Sequence, residues 1–262
     1  MDAFLIYLLL GLFTGVIAGL LGVGGGLIIV PVLVMIFQQQ HISQDIMVHL
    51  AVGTSLATIV LTSISSVRAH HAHGAVMWPV FWQLTPGIVL GALLGAVVAE
   101  LMSSSFLRIF FALFEFAVAI QMGLDIRPNP SRSLPGRIMF TLVGNIIGML
   151  SAIVGIGGGS LTVPFLVWCN VTMQRAVATS SACGLPIAIA GAVGFMLTGW
   201  QNQALPENSF GFVYWPAFLG IILTSVLTAP LGARLAHRLP ARALKKVFAI
   251  FIAILGVRML LG

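Results

Sequence analysis

Apolar residues run along the chain in long blocks separated by short polar stretches, a scale that suits helices spanning a bilayer better than helices of a soluble core. The blocks of the first half cover residues 4–37, 46–67, 76–99 and 106–124. Between them lie QQQHISQD at 38–45, a turn closed by Arg68, His70, His71 and His73, and ELMSSS at 100–105. The stretch 125–137, DIRPNPSRSLPGR, carries three prolines and three arginines and reads as a linker. After it the pattern starts again, which divides the chain into a first repeat at 1–124 and a second at 138–262 within one membrane domain.

The repeat is strongest where each half breaks its own first block. GLLGVGGGLIIVPVL at 19–33 recurs as SAIVGIGGGSLTVPFL at 151–166, with residues 148–167 matching 15–34 at an offset of 133. Each copy puts three consecutive glycines in an apolar run and a proline five residues later. Clustered glycines each cost a helix interior about 1 kcal/mol, and proline suits a helix's first turn. The expectation is a half-helix, a glycine loop and a second half-helix starting near Leu27 or Ser160. AVGTSLA at 51–57 recurs as AVATSSA at 176–182 at an offset of 125, and Trp78–Pro79 recurs as Trp215–Pro216. The fold class expected is an all-α polytopic membrane protein of two four-segment repeats. In each, a glycine-broken first segment, either re-entrant or discontinuous, precedes three transmembrane helices.

Composition agrees: 59% of the 262 residues are hydrophobic and 7% charged, against the usual quarter charged. Mean hydropathy is +1.11. The net charge of +6 then fits loops held at a cytoplasmic surface rather than nucleic acid, since no basic patch interleaved with aromatics occurs. The N-terminal MDAFLIYLLL carries Asp2 where a signal peptide has Lys or Arg, so the first segment is expected to be retained. Cys169 and Cys183 lie in or beside apolar segments without metal-like spacing and read as small apolar residues.

Topology follows from the twelve Lys and Arg residues. If all eight segments cross once, five fall on one side and seven on the other, which is hardly a bias. If the fifth segment turns back at its glycines, one face holds Arg68, Arg127, Arg132, Arg137, Arg175, Arg234, Arg238, Arg242, Lys245 and Lys246, and the other only Arg108 and Arg258. Ten against two obeys the positive-inside rule and leaves the connector 201–210 outside. By the repeat, the first segment returns as well. Each half then crosses an odd number of times, the two halves are inverted, and alternating access becomes available.

Glycine loops facing each other inside the membrane would present backbone N–H groups and helix N-termini to a small, oxygen-rich anion. The expected substrate-binding set is Gly24, Gly25, Gly26, Thr54 and Ser55 from the first half, with Gly157, Gly158, Gly159, Ser160, Thr179, Ser180 and Ser181 from the second. Against it stand close helix packing through glycine and hydroxyls bonded back to their own helix. Glu115, an acid well inside an apolar segment, is expected to couple protons or to serve structurally, and Arg175 and His49 to guide the anion or anchor helix ends. The histidines 70, 71 and 73 are weak as a metal cluster, lacking carboxylate or thiolate neighbours in sequence, and no catalytic motif emerges.

These paired motifs, GLLGVGGGLIIVPVL with AVGTSLA and GIGGGSLTVPFL with AVATSSA, resemble the sulfite exporter TauE/SafE family over nearly the whole chain. The second copy departs at Ala178, where the first has Gly53. The resemblance implies an exporter of sulfite or small organosulfur anions in the bacterial cytoplasmic membrane. Its expected partners are the anion, protons, the bilayer and a second copy of the chain, with no cofactor, metal or nucleic acid. A potential negative inside favours anion export by about 2.3 kcal/mol per charge per 100 mV, so no ATPase is needed. A passive anion channel, a permease for a carboxylate or another oxyanion, and a membrane enzyme or permease subunit using Cys169 or Cys183 remain alternatives.

Overall fold

A computed structural model describes residues 3–22, 24–124, 133–236 and 241–261, without side chains for 3 and 241–245. The described chain is a helical membrane protein. It contains α1 (Ala3–Leu21), α2 (Gly26–Gln39), α3 (Gln44–Ala72), α4 (Trp78–Leu101) and α5 (Ser104–Gly123). The second half supplies α6 (Arg137–Val154), α7 (Gly159–Trp168), α8 (Met173–Thr198), α9 (Trp215–Ala236) and α10 (Ala241–Leu261). Residues 209–214 before α9 form a two-stranded hairpin, β1 (Ser209–Phe210) and β2 (Val213–Tyr214). Seven helices among the described residues are long and apolar enough to span a bilayer: α1, α3, α4, α5, α6, α8 and α9. Most of the 125–137 linker, and Arg238 among the basic loop residues, lie outside the described residues.

Both glycine breaks occur where the sequence places them, but the arms are unequal. α1 and α6 have 19 and 18 residues, about 28 and 27 Å, enough to cross. α2 and α7 have 14 and 10, about 21 and 15 Å. The glycines come late in each apolar block, so a full-length helix, rather than a half-helix, leads into the break. Pro31 and Pro164 stand at the sixth position of α2 and α7, past the first turn. Left-handed Gly25 (φ 81°) and Gly158 (φ 74°) fix the helix starts instead.

The first broken segment returns to the side it came from. Gln40, just past α2, donates through Nε2 to the hydroxyl of Tyr7 near the start of α1 at 3.2 Å. A Cβ on Gly25 would lie 3.2 Å from Cβ of Thr14, so the chain beyond Leu21 has already folded back along α1.

The halves are interleaved. α1 packs on α9 of the other half and α6 on α4. Both contacts run through small residues: Gly11, Gly15 and Gly19 abut Ile221, Ser225 and Ala229, while Gly87, Gly91 and Gly95 abut Thr141, Asn145 and Met149. Each glycine sits against a backbone carbonyl, where a side chain would force the helices apart. Both pairs are parallel, because residue numbers rise together.

Equivalent helices of the two halves run the other way. On α3 and α8, Ser63 meets Gly184 while Leu56 meets Gly191; on α5 and α10, Gly123 meets Ala249 while Glu115 meets Gly256. One number rises as the other falls, so each pair is antiparallel. That is the relation between two units of opposite orientation.

A return of α1–α2 makes one prediction. With Cys169 and Cys183 replaced by alanine, cysteines at Tyr7 and Gln40 should be joined by a short bifunctional thiol reagent. A segment that crossed would hold them about 30 Å apart, and no cross-link would form.

Candidate functional site

The two glycine breaks touch. A Cβ added to Gly24 would lie 3.0 Å from both Cα and N of Gly157, and one on Gly26 would strike the Gly155 carbonyl and sit 2.9 Å from Cα of Ile156. Backbone meets backbone because no side chain intervenes. Gly25 and Gly158 are the N-caps of α2 and α7, and Gly26 and Gly159 open those helices, whose first N–H groups have no acceptor within their own helix. The amides and positive ends of two helices therefore gather around one contact.

The TS motifs act as braces across the two halves. Ser55 on α3 donates to the Gly155 carbonyl in the other half's break at 2.8 Å, and Ser180 on α8 donates to the Gly22 carbonyl at a longer 3.5 Å. Thr54 Oγ1 accepts from the N–H of Tyr214 at 2.9 Å, and Thr179 Oγ1 accepts from the N–H of Met77 at 3.0 Å, each just ahead of the other half's fourth helix. All four hydroxyl residues are fully buried. They neither bond back to their own helices nor line the cavity; they pair with carbonyls in the breaks and with amides just ahead of α4 and α9.

Beside the Gly24–Gly157 contact lies a cavity of ≈ 10 Å³ lined by Ala18, Gly22, Gly24, Thr62, Ser63, Ser66, Gly157, Ser181 and Gly184. That is room for about one water molecule, too little for a sulfur oxyanion, so this conformation is closed. Ser66 and Ser181 are 2% and 5% exposed, and neither hydroxyl has a hydrogen-bond partner among the described residues. Thr62 instead bonds to Thr58 and Ser225. Of the expected set, Gly24, Gly157 and Ser181 reach the cavity wall. Ser160 lies apart from it, buried and also unpartnered among the described residues.

Ser63, Ser66 and Gly184 were not anticipated from sequence. Their signal is the polar spacing Thr62, Ser63, Ser66 and His70 along one side of an otherwise apolar α3. The AVGTSLA offset of 125 places Ile187, Ala188, Gly191 and Phe195 at the equivalent points of α8, so these α3 hydroxyls have no repeat counterpart.

The other expected groups stand away from the contact. Glu115 is fully buried between α5 and α10, its Oε2 beside Gly256, and neither carboxylate oxygen has a hydrogen-bond partner among the described residues. His49 is buried, with Nε2 2.9 Å from the carbonyl of Ala99, and joins α3 to the end of α4. Arg175 is exposed in the first turn of α8. The three clustered histidines diverge: His70 reaches the Gly19 carbonyl at 3.1 Å, His71 accepts from the Trp78 indole and His73 meets the carbonyl of Ala69. Among the described residues no three His, Cys, Asp or Glu side chains gather as metal ligands. Cys169 and Cys183 are buried free thiols.

Comparison with known proteins agrees with a membrane transporter. Residues 7–259 match the family described as "Sulfite exporter TauE/SafE". The chain is 38% identical over 259 residues to a probable membrane transporter protein of Haemophilus influenzae, covering 98% of both chains. It is 25% identical to the probable membrane transporter protein YunE of Bacillus subtilis, over 98% of this chain and 97% of that one. A probable membrane transporter protein of Methanocaldococcus jannaschii is 27% identical over 97% of this chain and 94% of its own. No solved structure matches.

If the braces are structural, their loss should cost stability. Thr54→Ala leaves the partly buried Tyr214 amide without its acceptor, a loss of about 1–3 kcal/mol, and Ser55→Ala removes a bond worth about 1 kcal/mol. Both should lower the melting temperature of the purified protein, Thr54→Ala the more. Unchanged melting in both would remove the bracing role.

Proposed function

The chain belongs to the sulfite exporter TauE/SafE family, and on that footing we propose that it is a secondary transporter exporting a small sulfur-containing oxyanion, sulfite or a sulfonate, across the bacterial cytoplasmic membrane. The observation that carries this reading is the backbone contact of Gly24 with Gly157 beside a closed cavity with two buried, unpartnered hydroxyls. Helix N-termini and hydroxyls can both donate, which suits a ligand that accepts: a compact anion with several oxygens.

Alternating access is part of the proposal. The glycine-packed pairs α1–α9 and α4–α6 carry one break each, so rocking one pair against the other would open the contact first to one face and then to the other. The face bearing most of the Lys and Arg residues is the cytoplasmic one. Ser66 and His70 lie along α3 between the cavity and that face, and this is the route by which the anion enters. Glu115 takes part from the α5–α10 seam, where protonation would alter how α5 and α10 pack rather than how the anion is held.

Gly184→Ala tests the site. The new methyl would lie 3.0 Å from the Gly157 carbonyl and 3.2 Å from Ser63 Oγ, filling the cavity, while helix propensity improves by about 1 kcal/mol. In proteoliposomes the parent protein should show saturable sulfite counterflow, which a channel lacks. Gly184→Ala should lose more than about tenfold of it while remaining as stable. Linear, non-saturable flux in the parent protein would replace the transporter by a channel, and full activity in Gly184→Ala would remove the cavity from the pathway. In the same assay Glu115→Gln should flatten the pH dependence.

A further inference from the structure

Some buried hydroxyls bond back to their own turn, as Thr14, Thr58 and Thr62 do, and others reach across the structure, as Ser55 and Ser180 do. Around the second break three do neither. Ser151 on α6 and Ser160 and Thr162 on α7 are 0%, 9% and 0% exposed, and none of their hydroxyl oxygens has a hydrogen-bond partner among the described residues. Two of them converge: a Cβ on Gly158 would lie 3.3 Å from Ser151 Oγ and 3.5 Å from Thr162 Oγ1. Leaving buried hydroxyls unpaired carries a desolvation penalty that a ligand would repay.

This cluster is distinct from the cavity that holds Ser66 and Ser181. None of its members lines that cavity, which reaches along α8 as far as Gly184. Gly158 instead meets Ile187, three residues further along α8 and about 4.5 Å deeper from its N-terminal end. It is also absent from the first half: at the repeat offset of 133 the equivalent residues are Ala18, Leu27 and Ile29. Among the described residues the first break's arms carry no buried hydroxyl without a partner, since Thr14 on α1 bonds to the Leu10 carbonyl.

We propose that Ser151 and Thr162, with the α7 N-terminus at Gly158 and Gly159, form a second oxyanion station, which receives the anion after it leaves Ser66 and Ser181 and before it exits at the face opposite the basic loops. The inference rests on the transporter reading given above. Two stations of hydroxyls on either side of the Gly24–Gly157 contact give the anion donors in both open conformations, so it need not be bare while the contact rearranges.

The test is sided kinetics with radiolabelled sulfite in membrane vesicles of opposite orientation. Ser151→Ala with Thr162→Val, the latter nearly isosteric, should raise the KM for sulfite presented at the face opposite the basic loops by tenfold or more, with less than a twofold change at the basic face. Ser66→Ala should do the reverse. Thr162→Ser, which keeps the hydroxyl, should restore the sided KM and so separates loss of a donor from loss of packing. An equal rise at both faces, or no rise at either, overturns the second station. Absence of saturable sulfite transport in the parent protein would instead overturn the underlying transporter reading.

Discussion

A backbone that stops being helical inside lipid must find partners for its N–H and C=O groups, and the rest of this structure follows from how that need is met. Each glycine break is secured by a hydroxyl from the other half: Ser55 on the Gly155 carbonyl and Ser180 on the Gly22 carbonyl. Neither break can be satisfied by its own repeat alone. The same exchange governs the helices, since α1 lies on α9 and α6 on α4. The two halves are thus each other's scaffold, which explains how two breaks in the backbone persist in a helical bundle.

The exchange has a functional consequence. Parallel glycine-lined pairs, α1 with α9 and α6 with α4, form two tightly packed bodies, each built from both halves. The antiparallel α3 and α8 pass between them and carry both the braces and the cavity wall. Motion of one body against the other must therefore alter the Gly24–Gly157 contact, where the bodies' breaks meet. Close packing along the glycine stripes keeps each body rigid, so that displacement is concentrated at the breaks.

Much of this architecture is legible in the chain itself. The breaks, the repeat and the membrane class all rest on local pattern and on composition, and each is visible in 262 letters. The distribution of Lys and Arg argues for a returning segment, and the Tyr7–Gln40 bond gives the same geometry for the first half. The role of the TS motifs is not legible. Thr54 meets Tyr214 and Thr179 meets Met77 across 160 and 102 residues, and no local rule distinguishes a hydroxyl that braces from one that binds. The cavity hydroxyls are hidden for a related reason: Ser63 and Ser66 have no counterpart in the repeat, so a reading guided by internal symmetry passes over them. Glu115 shows the limit of reasoning from depth alone, for it is buried as expected yet lies at a different seam.

The central claim is that the two breaks hold an oxyanion between them. Anomalous diffraction from crystals grown with selenite, the heavier analogue of sulfite, locates the anion directly. The account predicts a selenium peak beside Gly24 and Gly157, within hydrogen-bond reach of Ser66 and Ser181 or of Ser151 and Thr162. A selenite-transporting protein whose selenium peak lies away from both breaks, for example against Arg108 or Arg258, would contradict it.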